Sequence, residues 1–267
     1  MFFRKILTFS DHVMLQEDLA TIETRCIQNG LYLNISKCNV MTFSLSLCNN
    51  SYDYRIGDIS LNRLSLVKDL GIMFDKKLSF TAHYDFITSS AIRALGFVIR
   101  SCKNFLERTT FLHLYFAFVR SKLEYGSVVW SPGYNSHCLQ LEKVQRRFLK
   151  FLHLKSYGFY PERGFPQSDL LRIFSIQSLE SRRLNISLRF LHKLVNGVID
   201  TNILLGKLSF LVPRFGSRNP GSFYVEVSRT NVHMYSPIIT MCRNYNLHKD
   251  KFDLFNSTLR QIKNLHF

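Results

Sequence analysis

The feature that most limits what this chain can fold into is a change of hydrophobic period near residue 80. Beyond it, apolar residues recur at helical intervals. Ile87, Ala91, Leu95, Val98 and Cys102 form one stripe, and Leu112, Tyr115, Val119 and Leu123 a second. Leu141, Val144, Phe148 and Leu152 form a third; Leu179, Leu184, Leu188, Leu191 and Val195 form a fourth, ending at Asn196-Gly197. A stripe of this spacing is one face of an α-helix, and burial of that face is what holds such a helix in place. Short helices have little stability of their own, so the stripes read as a shared core rather than as cofactor contacts.

Before residue 80 the pattern is mixed. Leu15, Leu19, Ile22 and Cys26 predict a helix over 11–29, with Ser10 or Asp11 at its start and Gly30 as a left-handed stop. The stretches 38–43, 52–56, 59–66 and 70–74 predict strands, and Gly57-Asp58 suits a two-residue hairpin turn. The expected fold class is therefore α+β: antiparallel hairpins in the N-terminal third, followed by a mainly α-helical part. Residues 156–168 hold Gly158, Pro161, Gly164 and Pro166 and read as a loop. Residues 206–237 hold Pro213, Gly216, Pro220, Gly221 and Pro237 and read as irregular or short strand. The expected organisation is residues 1–79, a helical domain over 80–200, and a C-terminal segment over 201–267.

Charge points to a class of partner. The chain carries 35 Lys and Arg against 19 Asp and Glu, a net charge of +16. Such an excess favours a polyanion, through its field and through release of counterions from phosphates. The excess is uneven: residues 1–99 hold 10 basic and 9 acidic residues, whereas residues 100–193 hold 16 and 6. The middle third is the expected place of phosphate contact. Lys143, Arg146, Arg147 and Lys150 lie within two helical turns, with Leu141, Val144 and Phe148 on the opposite face. That is an amphipathic basic helix, which reads equally as a phosphate-binding surface or as a solvated cationic face.

The six cysteines, Cys26, Cys38, Cys48, Cys102, Cys138 and Cys242, show no CxxC pair, and His137-Cys138 has no further ligand close by. No metal site is expected from them; they read as reduced thiols of an intracellular protein, in the cytoplasm or nucleus. Neither a secretory leader nor a membrane span is expected.

Several blocks carry a resemblance. Leu33-Asn-Ile-Ser-Lys-Cys-Asn-Val-Met-Thr-Phe43 is followed by Val67-Lys-Asp-Leu-Gly-Ile-Met-Phe-Asp75 and by Leu78-Ser-Phe-Thr-Ala-His83. The most specific stretch is Leu114-Tyr-Phe-Ala-Phe-Val-Arg-Ser-Lys-Leu-Glu-Tyr-Gly-Ser-Val-Val-Trp-Ser-Pro132, with Ile176-Gln-Ser-Leu-Glu-Ser-Arg-Arg183 after it. Together these resemble the end of the palm, the thumb and the following segment of reverse transcriptases from non-LTR retrotransposons, the LINE and jockey-like elements. The resemblance implies a palm remnant over 1–79, a thumb-like helical domain, and an RNA template with a DNA primer as partners, beside the missing N-terminal part of the polymerase. It implies magnesium only for a complete enzyme. The paired-aspartate block of the family has no counterpart, because the sequence contains no Asp-Asp. A chain without it is not expected to polymerise by itself, since two-metal catalysis needs carboxylates to hold the ions.

The same resemblance singles out Lys37 as an auxiliary catalytic residue, placed near the phosphates of the incoming nucleotide and donating a proton to pyrophosphate. Without the resemblance Lys37 reads as a solvated loop lysine. Gly71 is implied in a grip on the primer end, a role its close backbone approach would suit; a bulge is the other reading. Asp58, Asp69 and Asp75 read as turn formers. Tyr125 and Tyr134 are candidates for base stacking, while Trp130, amid Val128, Val129 and Pro132, reads as core. A non-catalytic nucleic-acid-binding protein and a folded remnant without a selected role remain as alternatives to the polymerase fragment.

Overall fold

The computed structural model describes residues 2–44, 52–102, 107–212 and 221–265. It forms two compact units, Met1–Phe80 and Thr81–Phe267.

The first unit holds helix α1 (Phe9–Gln28) and three two-stranded sheets. Helix α1 starts two residues earlier than the sequence suggests. Thr8 is its N-cap, and Asp11 Oδ2 accepts from the Leu7 and Thr8 amides at 2.9 and 2.8 Å, closing a capping box. Strand β1 (Asn39–Val40) pairs in parallel with β4 (Asn62–Arg63). Strands β2 (Arg55–Ile56) and β3 (Ile59–Ser60) form a hairpin on Gly57-Asp58, with Gly57 at φ 56° as the first turn position requires. Strands β5 (Leu66–Asp69) and β6 (Ile72–Asp75) form a second hairpin. Leu70 is not a strand residue, as its apolar side chain suggests, but a turn residue at φ 44°.

Helix α1 meets β2 largely through polar contacts. His12 Nδ1 and Tyr54 Oη share a hydrogen bond at 2.7 Å. Gln16 donates to the Arg55 carbonyl and accepts from its amide, both at 2.9 Å, and Glu23 accepts from the Gly57 amide at 3.0 Å. One side chain of α1 thus satisfies both backbone groups at a strand edge that would otherwise face solvent.

The second unit is helical. Helix α2 (Thr81–Ser101) buries every member of its predicted stripe within the helix, with Cys102 buried just beyond it. The next helix begins as α3 (Arg108–Leu114), widens into a π-helical segment over Tyr115–Arg120, and ends as α4 (Ser121–Glu124). It buries Phe111, Tyr115, Val119 and Leu123, with Phe111 taking the place the sequence pattern gives to Leu112. A short α5 (Ser127–Trp130) follows; Trp130 is 1% exposed, and Tyr84 donates to its carbonyl at 2.8 Å.

Helix α6 (Asn135–Tyr157) packs against α2, α3, α7 (Gln167–Phe174) and α8 (Leu179–Val195). The rings of Tyr115 and Phe148 stack at 3.9 Å with an interplanar angle of 4°. Arg182 of α8 pairs with Glu124 of α4, its Nη2 donating to Oε2 at 2.9 Å. The stretch 201–267, set apart by its composition, shares a core with α8. Leu188, Leu191 and Leu194 pack with Phe223, Leu254, Met241, Cys242 and Tyr245 of α11 (Pro237–His248) and Ile262 of α12 (Leu259–Lys263). Two short helices, α9 (Asn202–Leu205) and α10 (Asn231–Met234), complete the described elements. Pro213, Gly216 and Pro220 lie outside the described residues; beside them Phe210 and Phe223 form an antiparallel bridge.

No helix among the described residues is long and apolar enough to cross a membrane. Cys26, Cys38, Cys102, Cys138 and Cys242 are free thiols, and Cys48 lies outside the described residues.

Candidate nucleic-acid interface

Helix α6 is built as the sequence divides it. Leu141, Val144, Phe148 and Leu152 are each at most 2% exposed. Lys143 and Arg147 are exposed, and Arg146 and Lys150 are half-buried, on the other side of the helix. All four cations line one cleft of about 440 Å3, together with Ile99 of α2, Phe151 of α6 and Tyr160 of the following loop. Their spacing of three, one and three residues keeps them on a single helical face.

Among the described residues no carboxylate lines this cleft. Glu142, next in sequence to Lys143, turns away from it. Its Oε1 accepts from the Glu180 amide at 3.0 Å, at the start of α8, and its Oε2 accepts from Gln167 Nε2 at 2.7 Å. A carboxylate there complements the N-terminal dipole of α8. Burial pushes the Glu142 carboxyl above the ordinary range despite these hydrogen bonds. Among the described residues no carboxylate pairs with Lys143, Arg147 or Lys150. An unneutralised cationic row at the mouth of a cleft concentrates anions.

The four cations are not equivalent. Arg146 Nη2 donates to the Phe165 carbonyl at 2.9 Å, so this residue also ties α6 to the loop 158–166. The other end of that loop is fixed too. Gly158, at φ 82°, closes α6 by donating to the Leu154 carbonyl, and His153 Nδ1 and the Phe159 carbonyl lie 2.9 Å apart. The loop is therefore a held scaffold, and Tyr160 on it is 58% exposed. Tyr160 and Ile99 carry no signal as cleft residues in the sequence, because they reach the site from other elements.

Of the remaining candidates, Lys37 and Gly71 lie in the first unit, and Tyr125 and Tyr134 in the second. Lys37 is the last residue of a 3-10 turn, Ile35–Lys37, and is exposed. Its amide donates to the Asn34 carbonyl at 3.0 Å. Gly71 is the second turn residue of the β5–β6 hairpin, at φ 86°. The turn therefore accounts for its glycine, and no bulge is needed. Tyr125 and Tyr134 are exposed, but Tyr134 is engaged: its hydroxyl accepts from Asn231 at 2.8 Å and its ring meets that of Tyr235.

Two carboxylates of the first unit, Asp53 and Asp75, are engaged in local hydrogen bonds. Asp75 Oδ1 accepts from the amides of Lys77 and Ser79, and Oδ2 from the Ser79 hydroxyl and the Phe80 amide, all at 2.9–3.1 Å. Burial pushes its carboxyl up, but these hydrogen bonds outweigh burial and hold it below the ordinary range. Asp53 is taken by Ser60 Oγ and Arg55. Among the described residues no three His, Cys, Asp or Glu side chains are grouped to hold a metal ion.

A protein of Caenorhabditis elegans described as uncharacterized is 29% identical to this chain over 131 residues, which is 49% of this chain and 64% of that protein. The chain therefore spans less than two thirds of the length of the relative it matches. No protein-family profile and no solved structure matches.

Proposed function

We propose that this chain binds the sugar-phosphate backbone of nucleic acid through the cationic face of α6, as the thumb-like part of a non-LTR reverse transcriptase engaging an RNA template and DNA primer. The observation that carries the binding is the convergence of Lys143, Arg146, Arg147 and Lys150 on one cleft without a carboxylate in its lining. The polymerase context is supported by the motif blocks at 33–43, 67–83 and 114–132. The site of action in this reading is inside the cell, in the cytoplasm or nucleus. Nucleotidyl transfer by the chain alone is left out of this reading, because its sequence has no Asp-Asp block of the kind two-metal catalysis uses.

Backbone contact of this type gives affinity without sequence choice and falls steeply with salt. The test is the affinity of the full chain for duplex DNA over a range of salt. The expected slope of log affinity on log salt is roughly −2 to −4, from about −0.9 per phosphate neutralised. Replacing Lys143, Arg147 and Lys150 together by Gln should flatten the slope and weaken binding to all sequences alike. Arg146 is left in place because it also holds the loop. An unchanged slope in a folded triple variant overturns the assignment of α6.

A further inference from the structure

We infer that the α6 cleft takes an unpaired nucleotide, its base stacked on Tyr160 and its phosphates on Lys143, Arg147 and Lys150; this rests on the nucleic-acid reading above and narrows it from duplex backbone to single strand. A duplex presents phosphates on a convex surface and needs only a row of cations. The cleft offers more than a row. It is a half-open cleft whose lining also includes the apolar side chains of Ile99 and Phe151 and the exposed ring of Tyr160. Its volume of about 440 Å3 gives room for one base beside the cations.

Three arrangements make Tyr160 a platform rather than a stray surface ring. The loop that carries it is fixed at one end by the contact of His153 with the Phe159 carbonyl, and at the other by Arg146 on the Phe165 carbonyl. The neighbouring Phe159 packs on His153 at 5.2 Å, whereas among the described residues no ring packs on Tyr160. The cations run from residue 143 to residue 150, about 10 Å along the helix axis, so more than one phosphate of a strand can be met beside one base. A pre-positioned ring beside a cationic row is the arrangement by which proteins hold single strands: phosphates supply affinity, and the π-face accepts any base.

The test uses the full chain with labelled oligo(dT)12, oligo(U)12 and a blunt 12-base-pair DNA duplex at one salt concentration. Both single strands should bind more tightly than the duplex. Tyr160→Leu keeps an apolar side chain at an exposed position and should weaken both single strands by at least about fivefold while leaving the duplex unchanged. Tyr160→Phe should restore single-strand binding. Loss of duplex and single-strand binding in equal measure, or no loss on either strand, overturns the inference while the backbone reading survives. If no probe binds at low salt, the backbone reading falls as well. The Lys143, Arg147 and Lys150→Gln variant separates these cases, since it should weaken all three probes.

Discussion

The two units make their cores in opposite ways. In the second, Phe111, Tyr115, Phe148, Leu149 and Leu152 are fully buried around α6, and a further apolar cluster packs on the other side of α8. In the first, no described side chain is fully buried; Tyr54, Ile56, Ile72 and His12 are the buried ones, at 4–8% exposure, and α1 is held to β2 by hydrogen bonds to strand edges. Burial stabilises by roughly 25 cal/mol per Å2 of apolar surface, whereas a hydrogen bond formed at the expense of one to water contributes about 1 kcal/mol net. Two-stranded sheets are marginal by themselves. The cationic cleft thus stands on the more densely packed part of the molecule, and the first unit gets its shape from turns and edge pairing.

The largest test of this contrast is core truncation. Phe148→Ala should cost the second unit about 3–5 kcal/mol, because it opens a cavity under the Tyr115 ring. Ile56→Ala should cost less and should leave the main unfolding transition in place, as followed by denaturant melts with hydrogen exchange. Loss of both units in a single step in both variants would break the comparison.

Acid should act on the second unit through His83. This residue is 1% exposed, and burial pushes its imidazole down to about 4. The unfolded chain takes up a proton near pH 6.5 and the folded chain does not, so stability is complete above that pH and falls as pH drops towards 4. The loss is on the order of 3 kcal/mol, and His83→Gln should remove that part of the pH dependence. Melting temperatures between pH 4 and 7 decide it.

Asp75 sharpens the same comparison in the first unit. Its hydrogen bonds hold the turn that includes Leu78 and Phe80, both at positive φ. Asp75→Asn should cost about 1–2 kcal/mol, felt as faster amide exchange over 66–80 rather than as global unfolding. Because its folded pKa is depressed, its contribution is present above the ordinary carboxylate pKa and is lost as pH falls through the lower, folded value. Smallest in stability is Lys37→Ala, expected within about 0.5 kcal/mol because the side chain is exposed. Its proposed effect is on nucleotide addition when this segment is grafted into an active polymerase; equal activity of the two grafts removes Lys37 from the site.

Much of the second unit is legible in the sequence because its long helices bury apolar stripes, although in α8 Leu184 and Val195 of the expected stripe are only partly buried and Leu194 is buried in their stead. Helices α7 and α12 are not legible: at eight and five residues they have too few turns for a period, and they exist by packing on α6 and α8. The parallel pairing of Asn39 with Asn62 spans a long separation and leaves no local mark. The cations of α6 are visible as one face, but the cleft is not, because Ile99 and the Tyr160 ring come from α2 and from the loop after Gly158. Arg146 likewise reads as a surface cation until Phe165 is placed beside it.

The π-helical segment has a consequence for how this chain tolerates changes of length. It carries one residue more than an ordinary helix would use to bridge Leu114 and Ser121. Deleting one residue there would let a regular helix bridge the same two ends, with Glu124 still beside Arg182 and Leu123 still in the core, whereas a deletion in the regular turns on either side would rotate everything downstream by about 100°. A one-residue deletion in the loop 158–166 would disturb Tyr160 and the anchors at Phe159 and Phe165 without turning a helix. Single-residue deletions in related chains should therefore fall in the loop or in 115–120, and be absent from the regular turns 108–114 and 121–124.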